Sequence, residues 1–110
     1  MTNVYIKYRT HYVYSLENPL TKEQFYIGYT SDLKNRYRVH KYSNQKYKKC
    51  KDGGKLPNYL SELRMIGLFP IMRIIGKYSD KKTALLFERI MIRTFKPKCN
   101  GTGINTSKFL

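Results

Sequence analysis

Acidic residues are scarce in this chain of 110 residues, which carries 7 Asp and Glu against 22 Lys and Arg. The resulting formal net charge of +15 predicts a polyanionic partner, with nucleic acid first and an anionic membrane surface second. The alternative is a soluble protein that is basic for no specific purpose. The shortage of acids also argues against a two-metal site, since no second acid lies near Glu88 in the sequence.

Long hydrophobic runs are also missing from the sequence. No stretch approaches the roughly 18 apolar residues that a membrane-spanning helix needs. The first ten residues, MTNVYIKYRT, lack the apolar core of a signal peptide. These absences predict an intracellular, cytoplasmic protein, and a hydrophobic content of 41% predicts one folded domain over residues 1–110.

Cysteine and histidine each occur only twice. Cys50 and Cys99 lie far apart, and neither is spaced with histidines as zinc ligands are, so both are predicted to be thiols and not a disulfide. His11 and His40 do not form an evident pair for a metal-free ribonuclease mechanism. A phosphate-binding loop of the GxxxxGK type is absent as well.

Three segments have the composition of strands. Residues 11–17 alternate so that Tyr14 and Val13 face opposite sides, and residues 24–30 are rich in aromatic and β-branched side chains. These two segments are expected to pair antiparallel across a turn containing Asn-Pro. A third strand is predicted over residues 69–78.

Three segments have the signals of helices, predicted over residues 32–42, 56–66 and 81–95. Ser-Asp pairs precede the first and third as N-caps, Gly67 ends the second, and Pro97 stops the third. The basic segment between the first two helices is expected to be a loop. The order β-β-α-α-β-α predicts an α/β (α+β) sandwich, with a small, mostly antiparallel three-stranded sheet flanked by helices.

The first predicted helix carries Arg36 and His40 four residues apart, and therefore on one face. Arginine offers a planar fork for phosphate oxygens, and histidine exchanges protons near neutral pH. The pair indicates a phosphate site. A solvated basic helix face is the alternative.

Glu88 lies in the third predicted helix among apolar neighbours one turn away on both sides. A carboxylate in an inward-facing apolar stripe is costly unless it is paired or binds a cation. A lone carboxylate with water ligands is a common way to hold Mg²⁺ near phosphates. The alternative is a buried ion pair with an arginine of the first helix.

A basic stretch with interleaved tyrosines runs from residue 34 to 55 and contains a single acid, Asp52. Lysines bind the phosphate backbone without reading sequence, and tyrosines can stack on bases. A solvated loop is the alternative. The candidate nucleic-acid-binding residues are Lys34, Arg38, Lys41, Lys46, Lys48, Lys49, Lys51 and Lys55.

Taken in order, these features resemble the GIY-YIG endonuclease superfamily from about residue 11 to residue 100. The triplets YVY, ending at Tyr14, and YIG, from Tyr26 to Gly28, stand where the family has its GIY-like and YIG-like triplets, with eleven residues between them. The remaining matches are Arg36 with His40, Glu88, and Asn100 after a Lys-Pro turn. Tyr12 stands where the family usually has glycine, and Tyr29 where some members have lysine.

The resemblance implies metal-assisted hydrolysis of a DNA phosphodiester in one nucleophilic step. Glu88 would hold Mg²⁺ or Mn²⁺, Arg36 would stabilise the transition state, and a tyrosinate from Tyr14 or Tyr26 would activate or orient the attacking water. The other implied roles are proton transfer for His40, orientation of the metal site or an adjoining loop for Asn100, and close backbone approach for Gly28.

The resemblance also has implications for the binding partners and the biological origin of the protein. It implies DNA as the partner and no membrane, with specificity from a homodimer or a larger recognition partner because the chain is small. Small stand-alone members suggest a phage or mobile-element origin. A non-catalytic nucleic-acid-binding module on the same scaffold is the alternative function.

Overall fold

The computed structural model describes residues 9–42 and 55–100. The predicted loop spans residues 43–55, and residues 43–54 lie outside the described residues, with Cys50 and four of the candidate DNA-binding lysines: Lys46, Lys48, Lys49 and Lys51. The end of the predicted loop is wrong by one residue, because Lys55 begins α2. The six predicted elements are all present, in the predicted order. They are β1 His11–Glu17, β2 Gln24–Thr30, α1 Leu33–Tyr42, α2 Lys55–Met65, β3 Ile71–Tyr78 and α3 Lys81–Phe95.

The three strands form one sheet in the order β2-β1-β3, and both pairings are antiparallel. The predicted α+β fold is therefore confirmed. Tyr12 pairs with Thr30 on one side and Lys77 on the other, so a tyrosine at the start of β1 is accommodated in both ladders, and the register with β3 shifts after Val13. Tyr14 pairs directly with Gly28, which brings the two family-like triplets together at the centre of the β1–β2 ladder.

A β-bulge in β2 decides which way its aromatic residues point. Leu16 pairs with Tyr26 and Glu17 pairs with Gln24, so Phe25 is an extra residue on β2. Phe25 is fully buried in the same cluster as Tyr14 and Leu16, and Tyr26 packs against that cluster. The bulge therefore turns two consecutive aromatic side chains toward one face of the sheet.

Each face of the sheet is covered by helices, and Tyr14 and Val13 belong to different core clusters as predicted. On the Tyr14 face, Leu60 and Leu63 of α2 complete the core. On the Val13 face, Ala84 of α3 packs against Val13 and Ile27. Burial of these apolar side chains supplies most of the stabilisation of such a small sheet.

Local capping explains the helix ends. Asp32 is an N-cap just before α1, since its carboxylate accepts from the Asn35 N–H at 3.1 Å. Asp80 caps α3 in the same way, accepting from the Thr83 N–H at 2.9 Å. Gly67 follows α2 with φ +79°, the left-handed conformation that favours glycine at a helix end.

The segment after α3 returns to the sheet and covers the outer edge of β2. Lys96 ends α3 with φ 48°, and the Cys99 N–H donates to the Phe25 carbonyl at 2.9 Å. The Cys99 thiol is buried and donates to the Lys55 carbonyl at 3.8 Å. Pairing an edge strand in this way protects it from other chains. Across residues 9–42 and 55–100, no helix has the length and apolar character that crossing a bilayer requires.

Candidate active site

Three rings meet above Gly28, and Tyr14 lies at their centre. Its phenol oxygen is 2.8 Å from His40 Nε2, and the side chain is 1% exposed. The ring centroids of Tyr14 and Tyr26 are 6.2 Å apart, and that of His40 lies 5.7 Å from Tyr14 and 5.8 Å from Tyr26. Tyr14, Tyr26 and His40 are called the ring cluster below.

Gly28 is the floor on which the two phenol rings rest. A Cβ atom on Gly28 would lie 2.5 Å from Tyr14 Oη and 2.8 Å from Tyr26 Cε2. Carbon atoms cannot approach so closely without a shift of the rings. The glycine is therefore needed for the close approach of Tyr14 and Tyr26, and its backbone conformation is ordinary for a strand.

We predict that Gly28→Ala displaces both phenol rings and destabilises the domain by about 1–3 kcal/mol, as overpacking of a full core does. If the added Cβ did not contact the phenol rings, replacing glycine with alanine inside a strand would stabilise the domain by about 0.5–1 kcal/mol. The sign of the change in urea unfolding therefore checks the packing. An unchanged or higher midpoint in the alanine variant would contradict it.

Tyr14 is a neutral phenol at physiological pH. Burial raises its pKa above the ordinary value of 10, and the neighbouring Tyr26 raises it further. The positive charge of Arg36 acts in the opposite direction, and the carboxylate of Glu88 adds to the increase. Arg36 and Glu88 are thus both close enough to act electrostatically on Tyr14, although they come from different helices.

His40 is a neutral imidazole. It is 7% exposed, and burial lowers its pKa to about 4, with the charge of Arg36 contributing in the same direction. A neutral ring can accept a proton at one nitrogen. The 2.8 Å contact therefore joins a phenol to a possible proton acceptor, and the tautomer decides which of the two donates.

Glu88 is half-buried on α3, where Ala84 packs into the core one turn before it. Burial raises its carboxyl pKa to about 7, against the lowering effect of Arg89. The sequence left open an ion pair with an arginine of α1. Within the part of the chain that the structure describes, no salt bridge to Glu88 is present.

The donor set around Glu88 limits the kind of metal site that could form. Among residues 9–42 and 55–100, no group of three or more His, Cys, Asp or Glu side chains converges as metal ligands would. A zinc site of protein ligands is therefore unsupported in that part of the chain. A desolvated carboxylate without a salt bridge does fit Mg²⁺, which keeps several waters and takes further ligands from substrate phosphates.

Asn100 is buried beside the ring cluster and clamps the backbone of β2. Its Oδ1 accepts from the Ile27 N–H at 2.9 Å, and its Nδ2 donates to the Ile27 carbonyl at 2.8 Å. Ile27 lies between Tyr26 and Gly28. The observed contacts of Asn100 therefore fix the strand that carries the YIG triplet.

The candidate phosphate-binding residues that the structure describes differ in exposure. Arg36, Lys34, Arg38 and Lys55 are exposed, as contact with a polyanion requires. Lys41 is half-buried, with its Nζ 4.9 Å from the Phe69 ring centroid. The exposed part of α1 therefore presents several cations along one helix.

Tyr29, which stands where some family members have lysine, faces away from the ring cluster. Its phenol is 2.7 Å from His11 Nδ1, and it packs with the Val13 core cluster. It brings no positive charge to the site. Arg36 is the cation whose field reaches both Tyr14 and His40.

The sequence was compared with models of known protein families. Residues 10–102 match the GIY-YIG catalytic domain family. Searches of curated proteins and of solved structures gave no significant match. The match spans most of the sequence, from just before β1 to just after Asn100, and on this ground the chain belongs to the GIY-YIG family, a superfamily of nucleases.

Proposed function

We propose that this domain is a metal-dependent DNA endonuclease that hydrolyses phosphodiester bonds. The observation that carries the proposal is that the ring cluster is built against Gly28 and that the charges of Arg36 and Glu88, from two different helices, both act on its Tyr14. Membership of the GIY-YIG family supports a nuclease, and the net charge of +15 supports a nucleic acid substrate.

Arg36 is proposed to stabilise the charge that develops on the phosphate in the transition state. Its side chain is exposed on α1, one turn before His40, where a phosphate can reach it. The effect of its charge on the pKa values of Tyr14 and His40 supports a position beside them. A planar guanidinium also suits the geometry of phosphate oxygens.

Tyr14 and Tyr26 are proposed to act differently on the attacking water. Tyr26 is half-exposed and can orient a water molecule, whereas Tyr14 is fully buried against His40. The raised pKa of Tyr14 disfavours a standing tyrosinate. Deprotonation of Tyr14 during turnover would therefore need positive charge beside it, which Arg36 and the bound ion would supply, while the 2.8 Å contact with His40 Nε2 orients the phenol.

Glu88 is proposed to hold one Mg²⁺ or Mn²⁺ ion, with waters and a substrate phosphate as the other ligands. When bound, the ion supplies a Lewis acid that neutralises phosphate charge and assists the leaving oxygen. The desolvated carboxylate supports this role, because a buried anion gains most from a cation. Asn100 then acts indirectly, by holding the β2 backbone under the phenol rings.

Plasmid nicking tests the proposal. Supercoiled DNA should be converted to open-circular or linear forms in Mg²⁺ and stay intact in EDTA. A gel shift without cutting in either condition would instead support the non-catalytic binding module. Parallel measurements of molecular mass with and without DNA would show whether a dimer forms on the substrate.

The cleavage rate should rise with pH through about 7, because Glu88 must lose its proton before it can bind the ion and burial holds its pKa near that value. His40, with a pKa of about 4, stays neutral throughout that range. Higher Mg²⁺ concentration should move the midpoint to lower pH, since the ion competes with the proton for one carboxylate. Single-turnover rates at two Mg²⁺ concentrations check this. A midpoint independent of Mg²⁺ would mean that another group is titrating.

A further inference from the structure

The turn after α2 projects apolar side chains into solvent. Met65 is 81% exposed, Ile66 is 66% exposed, and Phe69 is 40% exposed. Single exposed apolar residues are ordinary on protein surfaces, but three within five positions are not. These three residues are called the apolar knob.

The backbone of the knob is held firmly. The Gly67 N–H donates to the Arg64 carbonyl at 2.9 Å, and the Leu68 N–H donates to the Leu63 carbonyl at 2.9 Å. Leu63 itself is buried in the core, so the turn is tied to the domain's interior. Met65 and Ile66 therefore project from a supported turn.

The knob adjoins the helix that carries the proposed phosphate ligand. The Tyr37 hydroxyl of α1 donates to the Pro70 carbonyl at 3.1 Å, just beyond Phe69. Lys41 of the same helix places its Nζ 4.9 Å from the Phe69 ring centroid. Tyr37 directly follows Arg36 in α1, so the Phe69 end of the knob is held against the turn of α1 that carries Arg36.

We propose that the apolar knob inserts between base pairs of bound duplex DNA and unstacks them next to the cleavage site. Apolar side chains of this kind, including Met, Ile and Phe, act as wedges in proteins that kink DNA. The inference rests on the proposed function for its choice of DNA as the ligand. It adds a contact with the bases to the phosphate contacts of α1.

The charges around the knob favour DNA over a second copy of the chain. Glu62 is the acid on the preceding turn of α2, and it is outnumbered by cations of α1 and α2. Two copies that each carry +15 repel one another, whereas phosphates on both sides of a base step attract these cations. Lys41 lies beside the knob, with its Nζ 4.9 Å from the Phe69 ring centroid, and Lys34 and Arg38 are exposed on the same helix.

A wedge gives sequence preference without hydrogen bonds to base edges. Pyrimidine–purine steps unstack most easily, so insertion at such a step costs least. The knob therefore predicts that cleavage falls at a fixed short distance from flexible steps. A small catalytic domain gains some selectivity in this way.

The test uses duplexes with 2-aminopurine at successive positions, because this base brightens when it is unstacked. The full chain is bound to them in EDTA, so that no cleavage is needed. The double variant Met65→Ala/Ile66→Ala is compared with wild type. The matched control is Leu86→Ala/Ile90→Ala, which removes two apolar side chains that are 52% and 48% exposed on α3, the helix on the opposite face of the sheet.

Wild type and the α3 control should both brighten 2-aminopurine, whereas the knob variant should leave it at the level of unbound duplex. The knob variant should keep its DNA affinity within about threefold, because phosphate contacts supply most of the binding. Equal brightening by all three proteins, or none by wild type, would overturn the inference. A different partner would also overturn the inference. That result would be self-association, or binding to phosphatidylserine vesicles, which the knob variant alone has lost, with 2-aminopurine dark in every DNA complex. Failure of plasmid cleavage with brightening intact would count against the proposed hydrolysis and leave the wedge standing.

Discussion

Replacing Glu88 with Gln is expected to lower the single-turnover rate of DNA cleavage by about 10³-fold or more, because loss of the metal ligand removes several kcal/mol of transition-state stabilisation. Gln has nearly the shape of Glu, so its packing beside Ala84 is retained. DNA affinity measured in EDTA should be unchanged. The rate is measured on a duplex with enzyme in excess over DNA.

The same variant should be more stable than wild type in EDTA at pH 8. Burial raises the pKa of Glu88 from 4.5 to about 7, so wild type loses stability as pH rises between those two values, and the full loss is present at pH 8. Gln carries no charge, and its folding free energy lacks this pH dependence. Thermal unfolding at pH 6 and pH 8 checks the sign, since the advantage of the variant should be larger at pH 8.

Glu62→Gln is the matched control for both measurements. Glu62 is a carboxylate side chain exposed on α2. Its substitution should change neither the cleavage rate nor the difference in stability between pH 6 and pH 8. If Glu88→Gln cleaved DNA at the same rate as Glu62→Gln, the assignment of Glu88 to the active site would be contradicted.

Arg36→Ala is expected to reduce the cleavage rate by about 10²–10³-fold at saturating DNA, the usual effect of removing a donor that stabilises transition-state charge. The side chain is exposed, so the fold should tolerate its loss. The titration of His40 provides a second readout, which distinguishes a residue of the active site from an arginine on a solvated basic helix face. The charge of Arg36 contributes to the low pKa of His40, so the variant should raise the His40 titration midpoint in NMR above about 4.

Arg73→Ala is the control for Arg36→Ala. Arg73 is an exposed arginine of β3, ion paired with Glu17 at 3.1 Å. Exposed ion pairs contribute little to stability, so this variant should cut DNA at the wild-type rate and leave His40 unchanged. If Arg36→Ala matched Arg73→Ala in both the cleavage rate and the His40 titration midpoint, Arg36 would be an arginine of a solvated helix face without a role in cleavage.

The elements of this fold could be predicted because their signals are local. Strand alternation placed Tyr14 and Val13 on opposite faces, and the cap at Asp80 set the start of α3, as the structure confirms. The predicted bounds of β1, β2 and α3 are confirmed, whereas ends of α1, α2 and β3 differ by one or two residues, as at β3, which begins at Ile71 after Pro70. The bulge at Phe25 could not be predicted, because pairing with β1 determines which residue is extra.

Some features of the candidate site could be predicted from local sequence signals, whereas others depend on tertiary packing. Spacing put Arg36 and His40 on one helix face, and apolar neighbours singled out Glu88. That Arg36 is exposed while His40 is buried against Tyr14 depends on tertiary packing, which the spacing of two residues does not contain. The clamp of Asn100 on Ile27 likewise depends on where the segment after α3 returns to the sheet.

The apolar knob is also a tertiary feature. Met65 and Ile66 follow Leu63 after a single arginine, Arg64, and the apolar character of the three residues does not distinguish the buried one from the exposed ones. The helix end at Gly67 determines which of these side chains are exposed. Leu63 packs into the core, and the chain turns at Gly67, so Met65 and Ile66 remain in solvent.

Binding of Mn²⁺ to the chain at pH 8 without DNA tests the central claim most directly, since it separates the metal site from catalysis. Mn²⁺ in solution gives a six-line electron paramagnetic resonance signal that weakens when the ion binds protein. Wild type and Glu62→Gln should remove Mn²⁺ from solution equally, and Glu88→Gln should remove measurably less. Equal uptake by all three proteins would contradict the assignment of Glu88 as the metal ligand.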